Sequence, residues 1–119
     1  MDIPKIYDSE YRFCLILWDH EPINSTRLVA LCREQLGWSK ATTYTVIRRL
    51  AERGVLKNEN ATVVSLISKE QVQESELEQL VERTFEGSIP SFIAAFSRSK
   101  KLSEQEIAQL QALIDDHRR

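Results

Sequence analysis

The chain has 119 residues, 42% hydrophobic and 29% charged, which suits one compact domain or a small domain with an appendage, and excludes a disordered tail. The formal net charge of −2 excludes a surface coated throughout in positive charge. No stretch approaches the roughly 18 apolar residues of a membrane helix and no basic-then-apolar leader opens the chain, so a cytoplasmic protein without membrane insertion is expected.

In chain order, a first helix is expected to open near Asp8 or Ser9, either of which can cap free backbone N–H groups. It runs through Tyr11, Phe13, Cys14, Ile16, Leu17 and Trp18, and Pro22 ends it. Asn24 or Ser25 caps a second helix, in which Leu28, Leu31, Cys32 and Leu36 recur on one face before Gly37 closes it. Ser39 caps a third, with Val46, Ile47 and Leu50 on one side and Gly54 at its end. Val55 and Leu56, a polar turn from Lys57 through Asn58 and Glu59 to Asn60, and a β-branched run over 62–67 then read as a hairpin.

From Ser68 the composition shifts to long stretches rich in Glu and Gln. Ser68 and Gln71 can form a capping box ahead of Val72, Leu77, Leu80, Val81 and Phe85, with Gly87 as the stop. A second segment starts near Ser88, has Pro90 in its first turn and carries Phe92, Ile93 and Phe96. In the third, Ser103 and Glu106 match S-x-x-E, Leu102 and Ile107 can close a hydrophobic staple, and Ile107, Leu110, Leu113 and Ile114 form the apolar stripe.

Three short helices followed by one hairpin give the order of a winged helix-turn-helix over residues 1–68, in a chain that is mainly α with a small β-hairpin wing. The three helices of 69–119 have too little mass to bury their own stripes, so a helical dimerisation region is expected, with a second copy as its cover. Its contacts are expected from Leu77, Leu80, Val81, Phe92, Phe96, Leu110, Leu113 and Ile114.

Residues 1–68 carry 9 Lys/Arg against 8 Asp/Glu, and residues 69–119 carry 7 against 10. The basic excess concentrates between Gly37 and Leu56, where Lys40, Arg48, Arg49 and Arg53 face only Glu52. If double-stranded DNA is the partner, it binds there. The third helix offers Lys40, Thr42, Thr45, Arg48 and Arg49 opposite its apolar side, with Tyr44 at the margin. Arg and Lys can pair with guanine or phosphate, and threonine can contact a base edge or the thymine methyl. The cluster Ala41-Thr42-Thr43-Tyr44-Thr45 lowers helix propensity, which makes most sense where a partner compensates.

The expected wing, with Lys57, Asn58 and Asn60 beside Glu59, is electrostatically weak. Affinity is then expected to come from a homodimer that sets two third helices in successive major grooves of a palindromic operator. The competing reading is a winged helix that docks protein and shows no salt-dependent DNA binding. An enzyme is disfavoured, because the chain has two histidines, no Gly-rich phosphate loop and no recognisable nucleophile–base pair. Cys14 and Cys32 read as small hydrophobes, and without a C-x-x-C or H-x-x-x-H pair neither a metal site nor a cofactor is expected.

These landmarks together resemble the penicillinase-repressor family of bacterial winged-helix transcriptional repressors, the BlaI, MecI and CopY types. They are Ser9-Glu10-Tyr11, Ile16-Leu17-Trp18, Gly37-Trp38-Ser39, Arg49-Leu50, Gly54, Lys101-Leu102-Ser103 and Glu106-Ile107, and they span nearly the full length. The resemblance implies an N-terminal winged helix, a C-terminal dimerisation region and repression of genes for β-lactam resistance or copper transport. It implies operator contacts from Ser39, Thr42, Thr45 and Arg49, whereas Ala41 and Tyr44 stand where basic residues are common. In the β-lactam members a membrane sensor triggers cleavage at an Asn-Phe bond. The corresponding position here is Ala95-Phe96, which keeps the phenylalanine and lacks the asparagine. The chain ends Asp115-Asp116-His117-Arg118-Arg119 without the C-x-C motif of the copper members, which disfavours copper sensing.

Overall fold

The computed structural model describes residues 2–119. Helix α1 (Asp8–His20) buries Phe13, Cys14, Ile16 and Leu17, the apolar positions expected to pack. Neither Asp8 nor Ser9 caps it. The cap residue is Tyr7, whose amide donates to the Glu10 carboxylate at 3.0 Å. The helix thus opens at Asp8, as expected, but its cap lies one residue earlier, because a carboxylate in its first turn reaches back to the orphan N–H.

Helix α2 (Ser25–Leu36) is capped by Asn24, whose side chain accepts from the Thr26 amide at 2.8 Å. Gly37 ends it at φ +71°, a left-handed conformation that a residue without Cβ adopts at least cost. Helix α3 (Lys40–Glu52) follows α2 after three residues, is capped by Ser39, and buries Thr43, Ile47 and Leu50.

The strands are β1 (Ile23–Asn24), β2 (Leu56–Glu59) and β3 (Thr62–Ser65), antiparallel in the order β1-β3-β2. Leu56 lies opposite Ser65, Glu59 opposite Thr62, and Ile23 opposite Val63. β1 is absent from the sequence reading because two residues cannot display alternation. The hairpin also differs from expectation. Lys57, Asn58 and Glu59 belong to β2, and the turn is only Asn60-Ala61, at φ +53° and +61°. Two successive positive φ values match the tight turn that follows the strand twist.

One core joins these elements, with Phe13, Leu17, Leu28, Leu50, Leu56 and Val63 almost fully enclosed. The Trp18 indole N–H donates to the Ile67 carbonyl at 3.0 Å, and Phe13 stacks on Trp38 with ring centroids 6.1 Å apart. Cys14 and Cys32 are free thiols inside this core, and burial pushes them up to about 12 and about 11. The fold is a winged helix, mainly α with a small sheet.

The chain divides into two compact units, Met1–Glu76 and Leu77–Arg119, within α4 (Lys69–Phe85). The box expected at the start of α4 is present: Ser68 Oγ accepts from the Gln71 amide at 3.0 Å and the Gln71 side chain accepts from the Ser68 amide at 2.8 Å. The second unit holds the end of α4, α5 (Ile89–Ser99) and α6 (Glu104–His117). Ser88 caps α5, and the Ser103–Glu106 box caps α6 with both bonds at 3.0 Å. Neither α5 nor α6 contains a buried residue. No helix of the described residues is long and apolar enough to cross a membrane.

Candidate nucleic-acid interface

Helix α3 presents its burial-free side outward because Thr43, Ile47 and Leu50 take the inner side. Lys40, Thr42, Arg48 and Arg49 are exposed and Thr45 is half-buried. Thr42, Thr45 and Arg49 follow i, i+3 and i+7, and so form one row along the helix, with Arg48 beside it.

The start of that row is held by hydrogen bonds. Ser39 Oγ accepts from the Thr42 amide at 3.1 Å and donates to Thr42 Oγ1 at 3.0 Å. The Ser39 hydroxyl is therefore engaged within the helix start, and the Thr42 hydroxyl keeps its own proton for an outside acceptor such as guanine O6 or N7, or thymine O4.

Tyr44, expected at the margin of this face, and Arg53, counted in the basic excess between Gly37 and Leu56, are both engaged within the fold. The Tyr44 ring is half-buried and its hydroxyl donates to Ser25 Oγ at 3.3 Å, so this side chain joins α3 to α2. Arg53 is also half-buried. Its Nη2 is paired with Glu10 and its Nη1 donates to the Lys5 carbonyl at 2.7 Å. The basic excess between Gly37 and Leu56 is thereby reduced to Lys40, Arg48 and Arg49.

On the wing, Lys57, Asn58 and Asn60 are all exposed, but only Asn60 lies in the turn. Lys57 and Glu59 are two apart on β2, hence on one face, with Nζ and Oε1 3.8 Å apart. That exposed pair neutralises the single cation of the wing.

Among the expected dimer residues, Leu77, Phe96, Leu110, Leu113 and Ile114 are exposed, Leu113 by 65%. Leu80 is half-buried. Val81 is 4% exposed and thus enclosed by its own chain, while Phe92 packs edge-on against Phe85 at 5.6 Å. An open groove along the end of α4 and the start of α5 is lined by Leu77, Val81, Arg83, Gly87 and Ile89. Ala95 and Phe96 sit in the interior of α5.

The sequence model of the penicillinase repressor family matches residues 6–116. The chain belongs to the penicillinase repressor family. Among its relatives, the penicillinase repressor of Bacillus licheniformis is 25% identical over 120 residues, covering 98% of this chain and 94% of that one. The methicillin resistance regulatory protein MecI of Staphylococcus aureus is 21% identical over 115 residues, covering 93% and 94%. An uncharacterized 16.5 kDa protein of Latilactobacillus sakei is 27% identical, covering 92% of this chain and 78% of its own.

Within this penicillinase-repressor fold, three polar anchors of the winged helix escape sequence reasoning. Thr43, placed with an exposed threonine cluster from sequence, is fully buried and its hydroxyl donates to the Ser39 carbonyl at 3.0 Å. Glu21 accepts from the Ser65 amide and hydroxyl, both at 2.7 Å, which ties the end of α1 to the wing. Glu10 is 7% exposed. Burial pushes its carboxyl up, but the hydrogen bonds from Arg53 and the Tyr7 amide, with the charges of Arg53 and Arg49, outweigh that and hold it below its ordinary value. A buried carboxylate is the one available signal here, and it becomes visible only once α1 is folded onto α3.

Proposed function

We propose that this chain is a sequence-specific DNA-binding transcriptional repressor that acts as a homodimer on a palindromic operator. The observation that carries the reading is the outward row of α3, with Thr42, Thr45 and Arg49 in line and Arg48 beside it, in a member of a repressor family. We assign operator binding to residues 1–68 and dimerisation to residues 69–119.

Thr42 and Thr45 would meet base edges, Arg49 would meet guanine or phosphate, and Lys40 and Arg48 would meet phosphates beside the groove. The positive end of the α3 dipole at Ser39 favours a phosphate there. Because Glu59 balances Lys57, the wing adds shape and the polar Asn58 and Asn60 more than charge. Affinity then rests on two copies of α3 held together by the exposed stripes of α5 and α6. The controlled gene is of the class its relatives' names indicate, resistance to penicillin-type antibiotics. Release by a membrane sensor or its protease would act at Ala95-Phe96, and the α5 helix must open there before a protease can take the bond in extended form.

The test is a titration of the purified protein against fragments of its own upstream region at low and raised salt. Each neutralised phosphate contributes a slope of about −0.9 to log K against log salt. Specific binding that weakens steeply with salt supports repression. Absence of binding at either salt favours the protein-docking alternative, for which the neutral wing is the motive.

A further inference from the structure

A carboxylate removed from water needs a cation and hydrogen bonds to offset its lost hydration. Glu10 is such a group, at 7% exposure. One oxygen accepts from the Tyr7 amide and the other from Arg53. The guanidinium of Arg53 is itself held by the Lys5 carbonyl at 2.7 Å and lies 5.6 Å from the Tyr7 ring centroid.

Arg49 stands one helical turn before Arg53, whose amide donates to the Arg49 carbonyl at 3.2 Å. Residues four apart on a helix are side-by-side neighbours, so Arg49 and Arg53, the residue that caps the end of α3, leave the helix from one strip. Arg49 is exposed and takes part in no ion pair among the described residues. Glu10 nevertheless feels its charge as well as that of Arg53. Two cations are thus within the field of one buried anion, and only Arg53 is bonded to it.

We propose that Arg53 is a positioning residue which, by occupying the buried Glu10 carboxylate, keeps Arg49 free to reach DNA. The inference rests on the reading of Arg49 as an operator contact. Without Arg53, Glu10 is a buried anion within the field of a long flexible cation, and it draws Arg49 inward. The exposed Glu52 competes poorly, because a solvated carboxylate gains little from pairing. A lysine at position 53 keeps a cation on Glu10 while giving up the fork that reaches Lys5.

The experiment uses the full chain and compares an operator duplex with a non-operator duplex of equal length. Wild-type binding, weakened about tenfold or more by Arg49→Ala, comes first, and its failure sinks the interface reading and not the role of Arg53. Arg53→Met is then expected to lower operator affinity about tenfold, and Arg53→Met with Glu10→Gln to recover most of that loss. Arg53→Lys is expected to bind close to wild type. A merely structural role predicts that the affinity loss tracks a lowered melting temperature; a loss that disappears when the titration is run well below the melting temperature of each variant, a double variant as weak as Arg53→Met, or full binding by Arg53→Met overturns the proposal. Should Arg53→Met fail to fold by circular dichroism, Glu10→Gln alone decides: operator affinity equal to or above wild type supports the proposal, and a tenfold loss overturns it.

Discussion

The Ser39 hydroxyl accepts from the Thr42 amide and donates to the Thr42 hydroxyl, so one side chain both caps α3 and aims a neighbour on its outward row. Ser39→Ala is expected to cost about 1 kcal/mol of stability through the lost cap. Ser39→Asp keeps a capping oxygen but sets a negative charge at the helix start, where a phosphate is expected. Thermal melts should then rank wild type and Ser39→Asp together above Ser39→Ala, whereas operator titrations should place Ser39→Asp last. Tight operator binding by Ser39→Asp would count against DNA at this helix end.

The Glu10 carboxyl is held below its ordinary value of 4.5 in the folded chain. A depressed folded value means that the unfolded chain binds the proton more readily, so the contribution is fully present above 4.5 and is lost as pH falls through the lower folded value. Urea midpoints of wild type and Glu10→Gln, measured from neutral pH down into the acid range, should differ most at neutral pH and converge on acidification. A constant offset across the range would refute the assignment.

Cys14 and Cys32 are at most 1% exposed, with thiols pushed up to about 12 and about 11. The thiolate is the reactive form, so both should resist a thiol-specific dye at pH near 8 in the folded protein and react together in denaturant. Rapid labelling of either one under native conditions would contradict the packing around α1 and α2.

Leu113 is 65% exposed and Phe96 40%, while Val81 is 4% exposed. Leu113→Asp and Phe96→Asp should therefore shift sedimentation from dimer to monomer, weaken operator binding and leave helical content intact. Val81→Asp buries a charge within its own unit and should instead lower helical content and stability by several kcal/mol. A monomeric wild type at micromolar concentration would overturn the dimer.

Several features were readable because they depend on residues three or four apart. The caps of α2, α3, α4, α5 and α6 at Asn24, Ser39, Ser68, Ser88 and Ser103 are i to i+2 or i+3 contacts, and Gly37 marks its helix end by backbone freedom alone. The outward placement of Thr42, Arg48 and Arg49 follows from helical period once Ile47 and Leu50 define the inside. The exceptions come from longer reach. Tyr11 and Trp18 sit on α1 with the period expected of them and the helix opens at Asp8, yet its cap is Tyr7, held by a Glu10 carboxylate that an arginine 43 positions away also binds.

Local chemistry, acting within a turn or two of chain, was enough to specify the helices, their ends and the polar strip of α3. The two-residue turn of the wing, the strand at Ile23–Asn24, the burial of Thr43, the loss of Tyr44 to Ser25 and of Arg53 to Glu10 were set by packing between distant segments. Strand register and the pairing of a buried charge are properties of neighbours in space, and no spacing along the chain encodes which neighbours those are.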